Sequence, residues 1–156
     1  MYEVRLSVIM TTYNHERYLA EAIESVLRQQ TSFGVEIVIG EDCSTDRTLN
    51  IALDYQAQYP ECIRVIHTQS NVGVRENYRR TIAAARGEYI ALLDGDDYFC
   101  HRKKLQMQVE MLDADQSLGM CYTRSHRIDE SGNTTLYPEG ECLTTFEAML
   151  RRNPAE

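Results

Sequence analysis

Long apolar runs are missing from this chain. No stretch of its 156 residues approaches the ~20 that a membrane-spanning helix needs, so nothing here reads as a bilayer span. No basic segment followed by a cleavable apolar one stands at the start, and no secretion signal is expected. Cysteines are few and form no pattern. The five (Cys43, Cys62, Cys100, Cys121, Cys142) are odd in number and scattered, with no C-x-x-C spacing. That argues against a disulfide framework and a zinc site and for a reduced, cytoplasmic setting. Positive charge is also short. With 16 Lys and Arg against 24 Asp and Glu, the formal net charge is −8, which argues against nucleic acid as a partner. An anionic ligand would then need a bound cation or a local cluster of donors. Internal repeats, linkers and low-complexity tracts are absent as well.

What is present is alternation. Residues 5–10, with the run "LSVIM", read as a strand. "HERYLAEAIESVLRQQ" places Leu19, Ala22, Ile23, Val26 and Leu27 on one helical face. "VEIVIG" is β-branched and almost wholly apolar, as a strand buried on both faces should be. Ser44, Thr45 and Asp46 are candidate caps for a helix carrying Leu49, Ala52 and Leu53. "IRVIH" is a third strand. "VRENYRRTIAAARG" reads as a helix with Tyr78, Ile82 and Ala85 inward and Gly87 at its C-terminal end. "YIALL" is a fourth, buried strand, and "RKKLQMQVEML" a helix with Leu105, Val109 and Leu112 on one side. Strand and helix alternating four times predict an α/β fold: a mostly parallel sheet with helices on both faces. After Gly119 the pattern changes to two strands around "ESGN", followed by an expected helix over residues 144–152.

In an open parallel sheet, ligands bind beyond the carboxyl ends of the strands. The polar clusters "TTYNHE", "EDCSTD", "TQSNVG" and "DGDD" fall at those four ends. In the last, Asp94, Asp96 and Asp97 crowd around Gly95. Three such carboxylates repel one another and raise their own pKa values. A divalent cation removes that cost, and hard oxygen ligands suit Mg²⁺ or Mn²⁺. In extended geometry Asp94 and Asp96 point the same way, and Gly95 leaves room for a ligand to approach the backbone. Asp42, past the second strand, can accept a ring N–H such as the imide of uracil, a bond worth ~1.5–3 kcal/mol. Cys43 reads as a small filler.

Taken in order, "LSVIMTTYNHERYLAEAIESVLRQQ", "EIVIGEDCSTDRT", "NVGVRENYRRTIAAARGEYIALLDGDDYF" and "RKKLQMQVEML" resemble the nucleotide-sugar-binding half of a family 2 glycosyltransferase with the GT-A fold. The resemblance implies a Rossmann-like donor-binding half over residues 1–115 of a single partial domain. Residues 116–156 would begin the acceptor side, the chain being truncated after the donor half. It implies that Thr12, Tyr13 and Asn14 line the nucleobase and ribose, that Asp42 reads the base, and that Asn71, Gly73 and Asn77 lie near the nucleotide. Asp94 and Asp96 would carry Mn²⁺ or Mg²⁺ on the donor diphosphate beside Gly95, with Asp97 as companion. The implied reaction is inverting transfer from a UDP-sugar to a glycan or lipid-linked acceptor. The implied place is polysaccharide assembly in the cell envelope, with peripheral association at the inner face of the membrane through segments outside this chain.

Three departures from the family pattern stand out. Glu41 and Cys43 replace the usual Asp and Gly around Asp42, Thr11 stands at a frequent Pro, and His101-Arg102 replace Asp-Pro. The acids after Asp97 (Asp113, Asp115, Asp129, Glu130, Glu139, Glu141, Glu147) lack the context of the general base; Asp129 and Glu130 are the first to inspect. A non-catalytic nucleotide-sugar-binding module stays open as an alternative. A signalling receiver would need acids after the first and third strands, and a nucleotidyltransferase a glycine- and basic-rich loop after the first. Neither feature is present.

Overall fold

The computed structural model describes residues 3–129 and 131–137. The chain divides into two units, Met1–Gln116 and Ser117–Glu156. The first contains β1 (Val4–Thr12), α1 (Leu19–Leu27), β2 (Gly34–Glu41), α2 (Thr48–Gln58), β3 (Ile63–His67), α3 (Val74–Ala83), β4 (Tyr89–Leu92) and α4 (Lys104–Ala114). The sheet is fully parallel, in the order β3-β2-β1-β4. In the second unit β5 (Ser125–Ile128) and β6 (Thr134–Tyr137) pair antiparallel. The helix expected over residues 144–152 lies outside the described residues.

Period-two alternation separates the two faces of the central strands. Leu6, Val8 and Met10 of β1, with Ile37 and Ile39 of β2 and Ile63 of β3, point to one side. There they meet Leu19, Ile23 and Val26 of α1, Ala52 of α2, and Leu105 and Val109 of α4. The intervening positions face α3, so helices cover both faces of the parallel sheet, as the alternation predicts. This unit begins α1 at Leu19 rather than near His15, after a turn in which the Tyr18 and Leu19 amides donate to the His15 carbonyl.

The α3 face departs from expectation. Its buried residues are Asn77 and Thr81, and Ile82 is exposed. The reason is Gly40. A Cβ there would lie 2.0 Å from Thr81 Oγ1 and 2.7 Å from Asn77 Oδ1, so the bare glycine lets a polar pair settle on β2, while Tyr78 and Ala85 are only half-buried. The Asn77 amide donates to the Gly40 carbonyl at 2.7 Å. β4 differs as well. Among the described residues it pairs only with β1, and Ile90 and Leu92 are exposed instead of buried.

The one charge in the almost wholly apolar "VEIVIG" is buried with it. Glu36 is fully buried. It accepts bonds from Ser7 Oγ at 2.7 Å and from the Arg86 backbone N–H and Nε, both at 2.8 Å. Arg64 Nε lies 3.3 Å away. Burial pushes this carboxyl up, but the Ser7 and Arg86 hydrogen bonds outweigh it and hold the group below the ordinary range. The network anchors the sheet near the strand starts and leaves the opposite ends for the site.

Candidate functional site

All four polar strand ends converge, and hydrogen bonds tie each to a neighbour. Asn14 takes a left-handed conformation (φ 57°). Its N–H donates to Ser44 Oγ at 3.0 Å, and its Oδ1 accepts the Thr45 N–H at 2.8 Å. The Glu16 N–H donates to Asp46, and the Arg47 N–H donates to Glu16. The loop after β1 is therefore fastened to the loop after β2. Ser44 and Thr45 do this bridging rather than capping α2. The N-cap is Arg47, without a side-chain cap, and Asp46, one residue before it, accepts the Thr48 N–H at 2.9 Å.

The link from the second loop to the third is Asp42, only 2% exposed. Its Oδ1 accepts the Val72 N–H at 2.8 Å and its Oδ2 the Gly73 N–H at 2.9 Å. Asn71 Oδ1 shares the Gly73 N–H at 3.1 Å. Gly73 sits at φ 84°, a conformation that glycine adopts without steric cost. Beneath, Arg80 donates Nη1 to the Ile66 carbonyl at 2.9 Å, Nη2 to the Glu41 carbonyl, and Nε to Asn77 Oδ1. Asn77 is thus a buried support of the rim, with its amide committed to protein. The Glu41 side chain accepts the Cys43 and Ser44 N–H groups. That clasp shapes a turn in which Cys43 stands at φ 59°, where an L residue is strained by ~1–2 kcal/mol.

The acidic cluster is a turn rather than an extended pair. The Gly95 N–H donates to the Thr11 carbonyl at 2.8 Å and the Asp97 N–H to the Asp94 carbonyl at 3.0 Å. Within this turn Asp94 and Asp96 take different partners. Asp94 faces α3, its Oδ1 accepting Thr11 Oγ1–H at 2.7 Å and the Tyr78 hydroxyl. Asp96, half-exposed, lies near His15, with Nε2 to Oδ2 at 3.9 Å. The room at Gly95 is not free for a ligand either. A Cβ there would lie 2.7 Å from Thr12 Oγ1 and 3.0 Å from His15 Nδ1. Both atoms are buried and have no hydrogen-bond partner. Tyr13 stands exposed on the rim.

Electrostatics record the crowding. Lost solvation and then the charges of Asp96 and Asp94 push the Asp97 carboxyl up. Burial and the bond to Asp94 push the Tyr78 hydroxyl up to about 12. Among the described residues, no three acidic, cysteine or histidine side chains converge closely enough to hold an ion unaided. Mg²⁺-type sites seldom do so, since one or two carboxylates usually act with substrate phosphates. The donor set, rich in hard oxygens with unrelieved repulsion, fits such an ion.

The model of glycosyl transferase family 2 matches residues 7–154. The chain belongs to this family. Among curated relatives, the uncharacterized protein Rv1520 of Mycobacterium tuberculosis is 41% identical over 127 residues, covering 81% of this chain and 37% of the relative. The putative glycosyltransferase EpsE of Bacillus subtilis is 38% identical over 128 residues, covering 82% and 45%. Among solved structures, S. aureus TarS in complex with UDP-GlcNAc superposes with a TM-score of 0.63 at 30% identity, covering 71% of this chain and 32% of TarS. The chain therefore spans about a third to a half of each of these three proteins, and its sheet is that of the GT-A glycosyltransferases.

Within this family 2 domain, sequence reasoning missed Thr11, His15, Tyr78 and Arg80 as parts of the site. Thr11 was visible as a departure from the family's Pro. Tyr78 read as an inward apolar residue, and nothing local marked its hydroxyl as a partner of Asp94. Asp113 takes Arg5 and Tyr89 as partners at the strand starts, the wrong end of the sheet for the rim. Asp129 accepts the Ser131 and Asn133 N–H groups within its own hairpin. Glu130 lies outside the described residues.

Proposed function

We propose that this chain is the donor-binding part of a glycosyltransferase, holding a nucleotide-diphosphate sugar, foremost a UDP-sugar, for inverting transfer to a glycan or lipid-linked acceptor. The observation that carries this reading is the rim. Four strand ends, each tied to a neighbour, surround one turn with three carboxylates. The UDP-GlcNAc held by TarS supports the donor class. Asp94, Asp96 and Asp97 would hold Mn²⁺ or Mg²⁺ against the diphosphate. When bound, the ion acts as a Lewis acid on the departing diphosphate. Thr11 and Tyr78 orient Asp94, and the clasps through Asn14, Glu41 and Asp42 hold the loops before the donor arrives, which lowers the ordering cost of binding.

Base selection is assigned to Asp42 and its loop. A carboxylate offers about four lone-pair sites, so an imide N–H can join the two backbone donors. Asp113 and Asp129 are committed elsewhere, and neither is assigned as the general base that the transfer needs. Among the described residues no helix is long and apolar enough to cross a membrane. We place the chain in the cytoplasm.

Calorimetry tests the reading. UDP should bind much more tightly with Mn²⁺ or Mg²⁺ than in EDTA, and Asp96→Ala should abolish the difference. Equal affinity with and without metal overturns the proposal.

A further inference from the structure

We infer that His15 is a nitrogen ligand of the divalent ion beside Asp96, with the Thr12 hydroxyl holding the other ring nitrogen. The inference rests on the donor-site reading above and adds a ligand from a different strand end.

The backbone fixes where the imidazole stands. The His15 N–H donates to the buried Thr48 hydroxyl at 2.8 Å, and its carbonyl accepts the Tyr18 and Leu19 N–H groups at 3.0 and 2.9 Å. From there Nε2 reaches to 3.9 Å from Asp96 Oδ2. That is too long for a hydrogen bond. It is shorter than twice a metal–ligand distance of ~2.1 Å, so one ion can touch both atoms.

The other side of the ring carries the second observation. His15 Nδ1 and Thr12 Oγ1 are both buried without a partner. Thr12 is only 2% exposed. Both atoms point at Gly95, between the two aspartates. Buried polar atoms without partners are uncommon and costly. A ring rotation that brings Nδ1–H onto Thr12 Oγ1 would give each of these atoms a partner. It also leaves the lone pair on Nε2, the atom that faces Asp96. Metal-binding histidines characteristically donate the second ring N–H to an oxygen in this way. Asp94 already holds two hydroxyls on Oδ1, so a further ligand on the Asp96 side helps to fill the shell.

The test uses the 156-residue chain with Mn²⁺ and UDP, read by electron spin-echo envelope modulation. The expected spectrum shows a directly bound imidazole nitrogen. That signal changes when the protein carries heavy-nitrogen histidine, persists in His101→Gln and disappears in His15→Gln. Calorimetry of His15→Gln should show the Mn²⁺-dependent UDP affinity reduced about 10-fold or more, with the melting temperature unchanged. The isotope comparison decides the matter on the wild-type chain if the variant folds poorly. A Mn²⁺–UDP complex without a histidine nitrogen overturns this inference and leaves the donor reading standing. UDP binding indifferent to Mn²⁺ overturns the donor reading, and this inference with it.

Discussion

Asp42 keeps both carboxylate oxygens on the backbone N–H groups of Val72 and Gly73 while almost wholly buried. A residue so placed can act on a nucleotide in two ways: by holding the loop at 71–73, or by reading the base itself. Asp42→Asn separates them. Exchanging one acceptor oxygen for an N–H₂ group loses a charge-assisted bond worth ~1.5–3 kcal/mol, roughly 10- to 150-fold in affinity. If Asp42 reads uracil, as proposed, competition binding should show that loss falling on UDP and sparing CDP and ADP. An equal loss for all three would assign Asp42 to the loop alone. The neighbouring Cys43 shows why the family usually has glycine there. Its φ of 59° lies in the left-handed region, which only glycine adopts without strain.

Helix α3 is the element that connects the sheet to the site. It sets Asn77 and Thr81 on Gly40, puts Arg80 under two strand ends and brings Tyr78 to Asp94. Its seating depends on a missing side chain. Gly40→Ala would place a carbon 2.0 Å from Thr81 Oγ1. The overpacking should cost ~1–3 kcal/mol, seen as a lower denaturant midpoint with an unchanged slope. Thr81→Ala in the same chain should recover part of that loss, because the two positions touch and are therefore coupled. The helical period of "VRENYRRTIAAARG" was legible in the sequence. The face it buries was not, because a polar pair packed against a glycine carries no apolar signal.

At the scale of the whole first unit, the two ends of the sheet do different work. Near the strand starts, Ser7, Glu36, Arg64 and Arg86 join β1, β2, β3 and the connection into β4 around one buried carboxylate. A carboxyl held below its unfolded value contributes stability that is fully present above that value, ~4.3 for glutamate. The contribution is lost as pH falls through the folded value. Thermal melts should therefore show steepening destabilisation below about pH 4.3, and Glu36→Gln should flatten that acid limb. At pH 7 the same change should cost about 2 kcal/mol or more, since the arginines lose a charged partner. Their own partial exposure keeps the loss below that of a fully buried pair.

The amino-acid sequence by itself determined the alternation of elements, the parallel sheet with helices on both faces, and the gathering of polar clusters at four strand ends. Each is a local property: hydrophobic period, strand length, and the residues that follow a strand. Family membership was also legible, because the motifs stand in order along the chain. Only the tertiary structure decided which polar groups meet. Thr11 reaches Asp94 across 83 residues, Arg86 reaches Glu36 across 50, and Asp42 reaches Val72 across 30. It also decided that Asp94 and Asp96 take different partners, in a turn where two backbone hydrogen bonds bend the chain that alternation would have kept straight. Residue spacing reports the direction of a side chain only while the backbone stays regular, and the site begins where each strand's regularity ends.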